Sequence, residues 1–230
     1  MKRASSTFLA RSWVACAGAF ALTLGVSAAH AGTFLGLASD RDGQALMHAV
    51  VSLKPVGRVP MATPVQEITV SQESATFKPY ISVIRPGSSV VFSNRDNMEH
   101  HIKSFSSSKP FEIAVHKPGD TPAPVRFDKE GAVVVYCILH DWMRAYIYVV
   151  DTPWYAMTVA SSGIARLENL PPGEYDATAW HPDLGQYKVS LVQRVTVGAT
   201  GVSEATFKFD FKPRVLRQAP KGFGTSGKTG

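Results

Sequence analysis

The sequence predicts an all-β protein of sandwich type. No long segment repeats its apolar residues at helical spacing. Instead, short apolar or alternating runs rich in Val, Ile, Phe and Tyr are broken by Pro, Gly, Asp and Asn. Eight such runs stand out: 49–53, 81–84, 90–92, 132–137, 146–150, 175–180, 187–192 and 205–211. Their number and spacing fit one sandwich or two.

The amino terminus has the form of an export signal. Lys2, Arg3 and Arg11 make a charged start, 13–26 is apolar with small residues, and Ala29-His30-Ala31 matches a small-residue cleavage site. Cleavage is expected after Ala31, leaving 199 residues, and the signal's form points to the bacterial periplasm. The apolar run is too short and too rich in Gly and Ala to predict a stable membrane span. Of the two cysteines, Cys16 leaves with the signal, so Cys137 is the lone thiol expected in an oxidising compartment.

The middle of the chain forms a unit of its own, over 67–151. Phe77-Lys78-Pro79 enters the run at 81–84, Pro86-Gly87 turns into 89–92, and Asn94-Arg95-Asp96 leads to His100. Phe127-Asp128-Lys129-Glu130-Gly131 then turns into the apolar run that ends on Cys137. Behind it comes Cys137-Ile138-Leu139-His140-Asp141-Trp142-Met143, a thiol, an imidazole and a thioether at a spacing of C-x2-H-x2-M. Copper cycling between Cu(I) and Cu(II) accepts a soft thiolate, imidazole nitrogens and a weak thioether, whereas a hard ion refuses the thiolate. That geometry needs a second imidazole. His100 offers it; His101 points to the opposite face of a strand and is expected to pack or to support the site.

These residues resemble the cupredoxins, the group of plastocyanin, pseudoazurin and amicyanin. The shared order is Phe77-Lys78-Pro79, then Gly87 to Asp96 with Val90, Phe92 and Asn94, then His100, Gly131, Tyr136-Cys137 and His140. The short ligand loop is similar to that of amicyanin. The resemblance implies a cupredoxin-type Greek-key β-sandwich that holds one copper through His100, Cys137, His140 and Met143. The chain departs from the pattern at His101, where plastocyanins carry Asn, and at Ile138 and Asp141 in the loop. The run Cys-x-x-His-Asp-Trp-Met, with His-His-x-x-Ser-Phe-Ser upstream, also resembles exported bacterial proteins of the methylamine-utilisation or plastocyanin-like type.

The flanks resemble a carboxypeptidase-regulatory-like, or transthyretin-like, sandwich split in two. Ala38-Ser39-Asp40-Arg41-Asp42-Gly43 and the run at 49–53 look like its start, and the stretch from Gly163 to Leu170-Pro171-Pro172-Gly173-Glu174-Tyr175 looks like its continuation. The expected organisation is therefore a signal at 1–31, a discontinuous β-sandwich at 32–66 plus 152–212, a cupredoxin domain at 67–151 and a basic, disordered tail at 213–230. The copper sandwich is expected to be inserted in, or packed on, the second one.

The formal charge of +6 belongs largely to the ends. Three of the 24 basic residues fall in the signal and five after Phe211, leaving 16 against 18 acids over 32–211, close to −2. A basic body suited to nucleic acid is therefore excluded. No Ser-His-Asp signature, phosphate loop or dinucleotide fingerprint occurs, and a site with every ligand from protein leaves no open position for substrate. The expectation is electron transfer rather than catalysis. A redox partner would dock near His140, Leu139 and Trp142, although Leu139, Trp142 and Ile138 serve equally well as local packing. Copper sequestration or delivery with the same ligands is the alternative. His48, His116 and His181 lie in no ligand spacing and are expected to be structural.

Overall fold

The computed structural model describes residues 31–57, 65–184, 190–217 and 219–220. The expected export signal, apart from Ala31, lies outside them, as do residues 187–189 of one predicted run and 221–230 of the tail. The fold is an all-β sandwich architecture. Among the described residues the one helical element is a 3₁₀ turn, Pro182–Leu184, and no helix is long and apolar enough to cross a membrane.

The strands fall in chain order as β1 (Gly32–Ser39), β2 (Val50–Pro55), β3 (Glu67–Gln72), β4 (Phe77–Lys78), β5 (Ile81–Ile84), β6 (Ser88–Asn94), β7 (His100–Ser104) and β8 (Phe111–His116). There follow β9 (Val125–Phe127), β10 (Gly131–Cys137), β11 (Arg144–Val149), β12 (Trp154–Met157), β13 (Ile164–Leu170), β14 (Gly173–Trp180), β15 (Leu191–Val197) and β16 (Val202–Lys208).

Strands β3 to β11 hydrogen-bond only among themselves, in two sheets ordered β4-β3-β6-β9 and β5-β11-β10-β7-β8. The remaining strands make the sheets β13-β1-β16 and β12-β2-β14-β15. Each pair of sheets encloses a core. Phe77, Ile84, Phe92, Phe127, Val133 and Ile147 fill the first. Phe34, Leu46, Leu53, Leu167, Tyr175 and Phe207 fill the second. In the Leu-Pro-Pro-Gly-Glu-Tyr turn, the Tyr175 hydroxyl donates to the Pro171 carbonyl at 2.6 Å, which pins the turn to its own strand.

A third core joins the two sandwiches: Val50, Ile81, Val134, Tyr146, Tyr148, Val150 and Trp180. Side chains alternate across a strand, so β11 sends Ala145, Ile147 and Val149 into one core and Tyr146 and Tyr148 into the other. A strand buried on both faces loses its polar alternation, which is why 146–150 reads as a plain apolar run. Tyr148 and Trp180 stack at 4.4 Å across this junction. Lys54 closes its edge with Glu130 at 3.3 Å and Asp151 at 3.2 Å.

His181, next to this junction, is held in its neutral form. Its Nδ1 accepts from the Asp183 amide at 3.0 Å, so Nε2 carries the proton and donates to the Met47 carbonyl at 3.1 Å. Burial, against the opposing pull of Asp183, brings its pKa from 6.5 down to about 4. Between those values the unfolded chain takes up a proton that the native ring refuses. Stability is therefore full above about pH 6.5 and falls as pH drops toward 4, by roughly 3 kcal/mol for this group. His181→Asn should flatten that part of the slope. Urea midpoints at pH 7 and pH 4.5, wild type against variant, check it; an unchanged difference between the two pH values would refute the assignment.

Candidate metal centre

Alternation along β10 decides where the thiol points. Cys137 shares a face with Val133 and Val135, both fully buried in the core of the β3–β11 sandwich, so its sulfur enters that core at the strand's end. On β7, His100 and Ile102 face the same core, while His101 turns outward and bonds Glu112 Oε1 at 2.7 Å. The loop after Cys137 folds back in a tight set of backbone bonds. Ile138 N donates to the His101 carbonyl at 2.8 Å, Met143 N to His140 O at 2.9 Å, and Cys137 N to Met143 O at 3.3 Å. This brings His140 over the strand end.

The structure thus brings together His100, Cys137 and His140, all buried. Their facing donor atoms form a near-regular triangle: His140 Nδ1 to His100 Nδ1 at 3.2 Å, Cys137 Sγ to His140 Nδ1 at 3.3 Å, and Cys137 Sγ to His100 Nδ1 at 3.6 Å. A triangle of those sides has a circumradius of about 2.0 Å, which is the length of a bond from a first-row metal such as zinc to imidazole nitrogen. Met143, the fourth residue expected at the site, is 1% exposed and packs in the same core. Two nitrogens and a soft sulfur in one plane, with a thioether residue in the adjoining core, match the donor set that copper takes. Among the described residues this is the one such cluster of His, Cys and carboxylate groups.

Burial lowers the pKa of both imidazoles, at His100 against the opposing Asp96 carboxylate and at His140 likewise. Neutral rings present lone pairs rather than protons to a metal. The Asp96 carboxylate accepts from His100 Nε2 at 2.9 Å, which leaves Nδ1 as the free lone pair and fixes the ring. Asp96 is positioned in turn: its amide donates to Asn94 Oδ1 at 3.0 Å, and its Oδ2 accepts from Ala75 N at 3.1 Å. Ala75 also receives a bond on its carbonyl from Trp142 Nε1 at 3.0 Å. One peptide neighbourhood therefore ties the ligand loop to the group that orients His100. It can do so because Ser74 and Ala75 are both left-handed, with φ of 57° and 50°, a conformation that costs roughly 1–2 kcal/mol at a residue with a side chain.

Sequence reasoning gave Asp96 and Ala75 no role at the site and placed His116 among the structural histidines. His116 lies across the β7–β8 ladder from His100, with ring centroids 6.3 Å apart, and its Nε2 meets Gln72 Oε1 at 2.8 Å. Its signal was absent because only strand register brings it near. His140, near which a redox partner is expected to dock, is 7% exposed, and the neighbouring Ile138 and Leu139 are 47% and 48% exposed. The Trp142 ring lies 5.3 Å from the His140 ring. Of the basic tail, residues 213–217 and 219–220 are described. Arg214 pairs with Asp183 at 2.7 Å and Arg217 with Asp141 at 3.0 Å, because the two carboxylates lie along its course.

No protein-family model matches the chain, and no curated protein matches it. Among solved structures it is similar to a copper-containing nitrite reductase from Thermus scotoductus SA-01, at 24% identity over 42% of this chain with a TM-score of 0.35. The match spans only 25% of that reductase chain. A purple cupredoxin from Nitrosopumilus maritimus is similar at 22% identity over 36% of this chain and 99% of its own, with a TM-score of 0.33. A Cu(I) amicyanin variant is similar at 17% identity over 36% of this chain and 82% of its own, with a TM-score of 0.34.

Proposed function

We propose that this protein is a blue-copper electron carrier of the cupredoxin kind, holding one copper through His100, Cys137 and His140 with Met143 as the axial thioether. The observation that carries the reading is the buried triangle of two imidazole nitrogens and a thiol sulfur. Bound there, copper supplies a one-electron couple. The chain's own part is to hold the donors still. Cys137 ends a strand paired on both sides, and His100 opens a strand paired on both sides. His100 is further fixed by Asp96, and His140 is drawn in by the loop's backbone bonds. Donors held this way move little between oxidation states. With four donors from the chain, no position is left for substrate, which favours transfer over catalysis.

In this reading the residues before Gly32 are an export signal and the site of action is the periplasm. The 67–151 unit is the redox domain and the strands on either side of it are its supporting module. Ile138 and Leu139, apolar and about half exposed beside the ligand loop, form the surface on which a redox partner docks.

The test is a visible spectrum during titration with Cu(II). An intense thiolate-to-copper band should appear at one equivalent, vanish reversibly on reduction, and be absent from Cys137→Ser. Uptake of Cu(I) alone, without such a band, would assign the site to copper storage or delivery. No uptake would end the copper reading.

A further inference from the structure

Beside the ligand loop, and separate from the donor triangle, lies a cavity of about 520 Å³. That volume is in the range of small-molecule sites, about 300–1,000 Å³. Its walls are aromatic: Phe77, Tyr80, Trp142 and Tyr146, with Leu216 of the carboxy-terminal segment closing one side. The Tyr80 and Tyr146 rings meet edge to face at 5.4 Å. Burial, then the neighbouring Tyr146, raises the Tyr80 pKa, so this phenol stays protonated at any ordinary pH.

The charges around the cavity do not balance. Its two carboxylates are already taken by tail arginines, Asp141 by Arg217 and Asp183 by Arg214, the latter also through the Arg214 amide at 2.8 Å. Lys78 pairs outward with Glu73 at 3.4 Å. Arg144 has no carboxylate partner among the described residues. Its guanidinium lies over the Tyr136 ring, 4.9 Å from the centroid, and the residue also lines the cavity. An arginine without a carboxylate partner among the described residues, lining a cavity with four aromatic residues, suits a flat ring that carries an anionic oxygen.

We infer that this cavity binds a small planar aromatic acid of the hydroxybenzoate class, its carboxylate on Arg144 and its ring among the aromatic walls. None of His100, Cys137 and His140 lines the cavity, although Met143 and Trp142 of the ligand loop do. The inference therefore goes beyond the copper reading and stands or falls apart from it.

Calorimetric titration of the metal-free protein with 4-hydroxybenzoate tests it. Saturable binding at one equivalent is expected, weakened at least about tenfold by Arg144→Gln. The uncharged analogue 4-hydroxybenzyl alcohol should bind wild type at least about tenfold more weakly, which needs no variant to fold. Truncation after Lys212 should also weaken binding, since it removes the Leu216 wall. Absence of saturable binding would overturn the proposal. So would equal affinity for the acid and the alcohol, or tighter binding by the truncated chain, which would make the cavity merely the seat of the tail.

Discussion

Trp180→Ala is expected to destabilise the protein by about 3–5 kcal/mol, the cost of emptying a buried indole site. Trp180 is 2% exposed, stacks on Tyr148 and meets Tyr146 edge-on at 5.7 Å, so its removal opens the junction between the two sandwiches. Its Nε1 has no hydrogen-bond partner among the described residues. Trp180→Phe should therefore cost much less, since it keeps a stacking ring and forfeits no hydrogen bond. Urea unfolding followed by circular dichroism measures both. Wild type should unfold in one transition, and the alanine variant should separate the sandwiches into two. A loss below 1 kcal/mol in the alanine variant, or two transitions already in wild type, would show that the junction does not couple the sandwiches.

Asp96→Ala should lower copper affinity about 10–100-fold, the usual effect of losing the carboxylate that orients a ligating imidazole. The variant loses the 2.9 Å bond to His100 Nε2 and the bond to Ala75 N, so both the tautomer and the neighbouring turn are freed. Asp96→Asn keeps an acceptor oxygen for Nε2–H and should retain most of the affinity. Competition against a copper chelator separates the three proteins. Equal affinity in wild type and Asp96→Ala would remove Asp96 from the site. Cys137→Ser serves as the baseline for copper bound elsewhere.

What could be read in the sequence divides along physical lines. Cys137 and His140 are three residues apart, so their meeting depends only on a local loop, and the loop's spacing announces it. His100 is distant, but the pleat makes one of two adjacent histidines face the core, and Asn94-Arg95-Asp96 marks where the strand begins. Strand β10 was visible because six of its seven residues, all but Gly131, are hydrophobic. Strands β8 and β13 were missed because their polar faces interrupt the apolar signal: β8 exposes Glu112, and β13 exposes Arg166, Glu168 and Asn169. The run expected at 205–211 ends as a strand at Lys208, yet Phe209 still donates its amide to Ser39 and fills the core. Asp96 belongs to a legible turn, but nothing local announces its bond to His100, and Ala75 carries no signal of its own. Their roles depend on two left-handed residues and on which turn abuts which, facts that belong to the folded chain.

The pairing of the first and last strands has a mechanical consequence. β1 and β16 run parallel, in register from Thr33 with Val202 to Ser39 with Lys208. Tension between the two ends of the chain would pull these strands past each other along their length and load their hydrogen bonds together rather than peel them one by one. The donor triangle lies on a segment that leaves and rejoins the outer sandwich at β2 and β12, which are themselves paired from Val50 with Met157 to Leu53 with Trp154. Force would therefore pass through the outer sheets and bypass the site, leaving its donor distances unstretched until that clamp gives way.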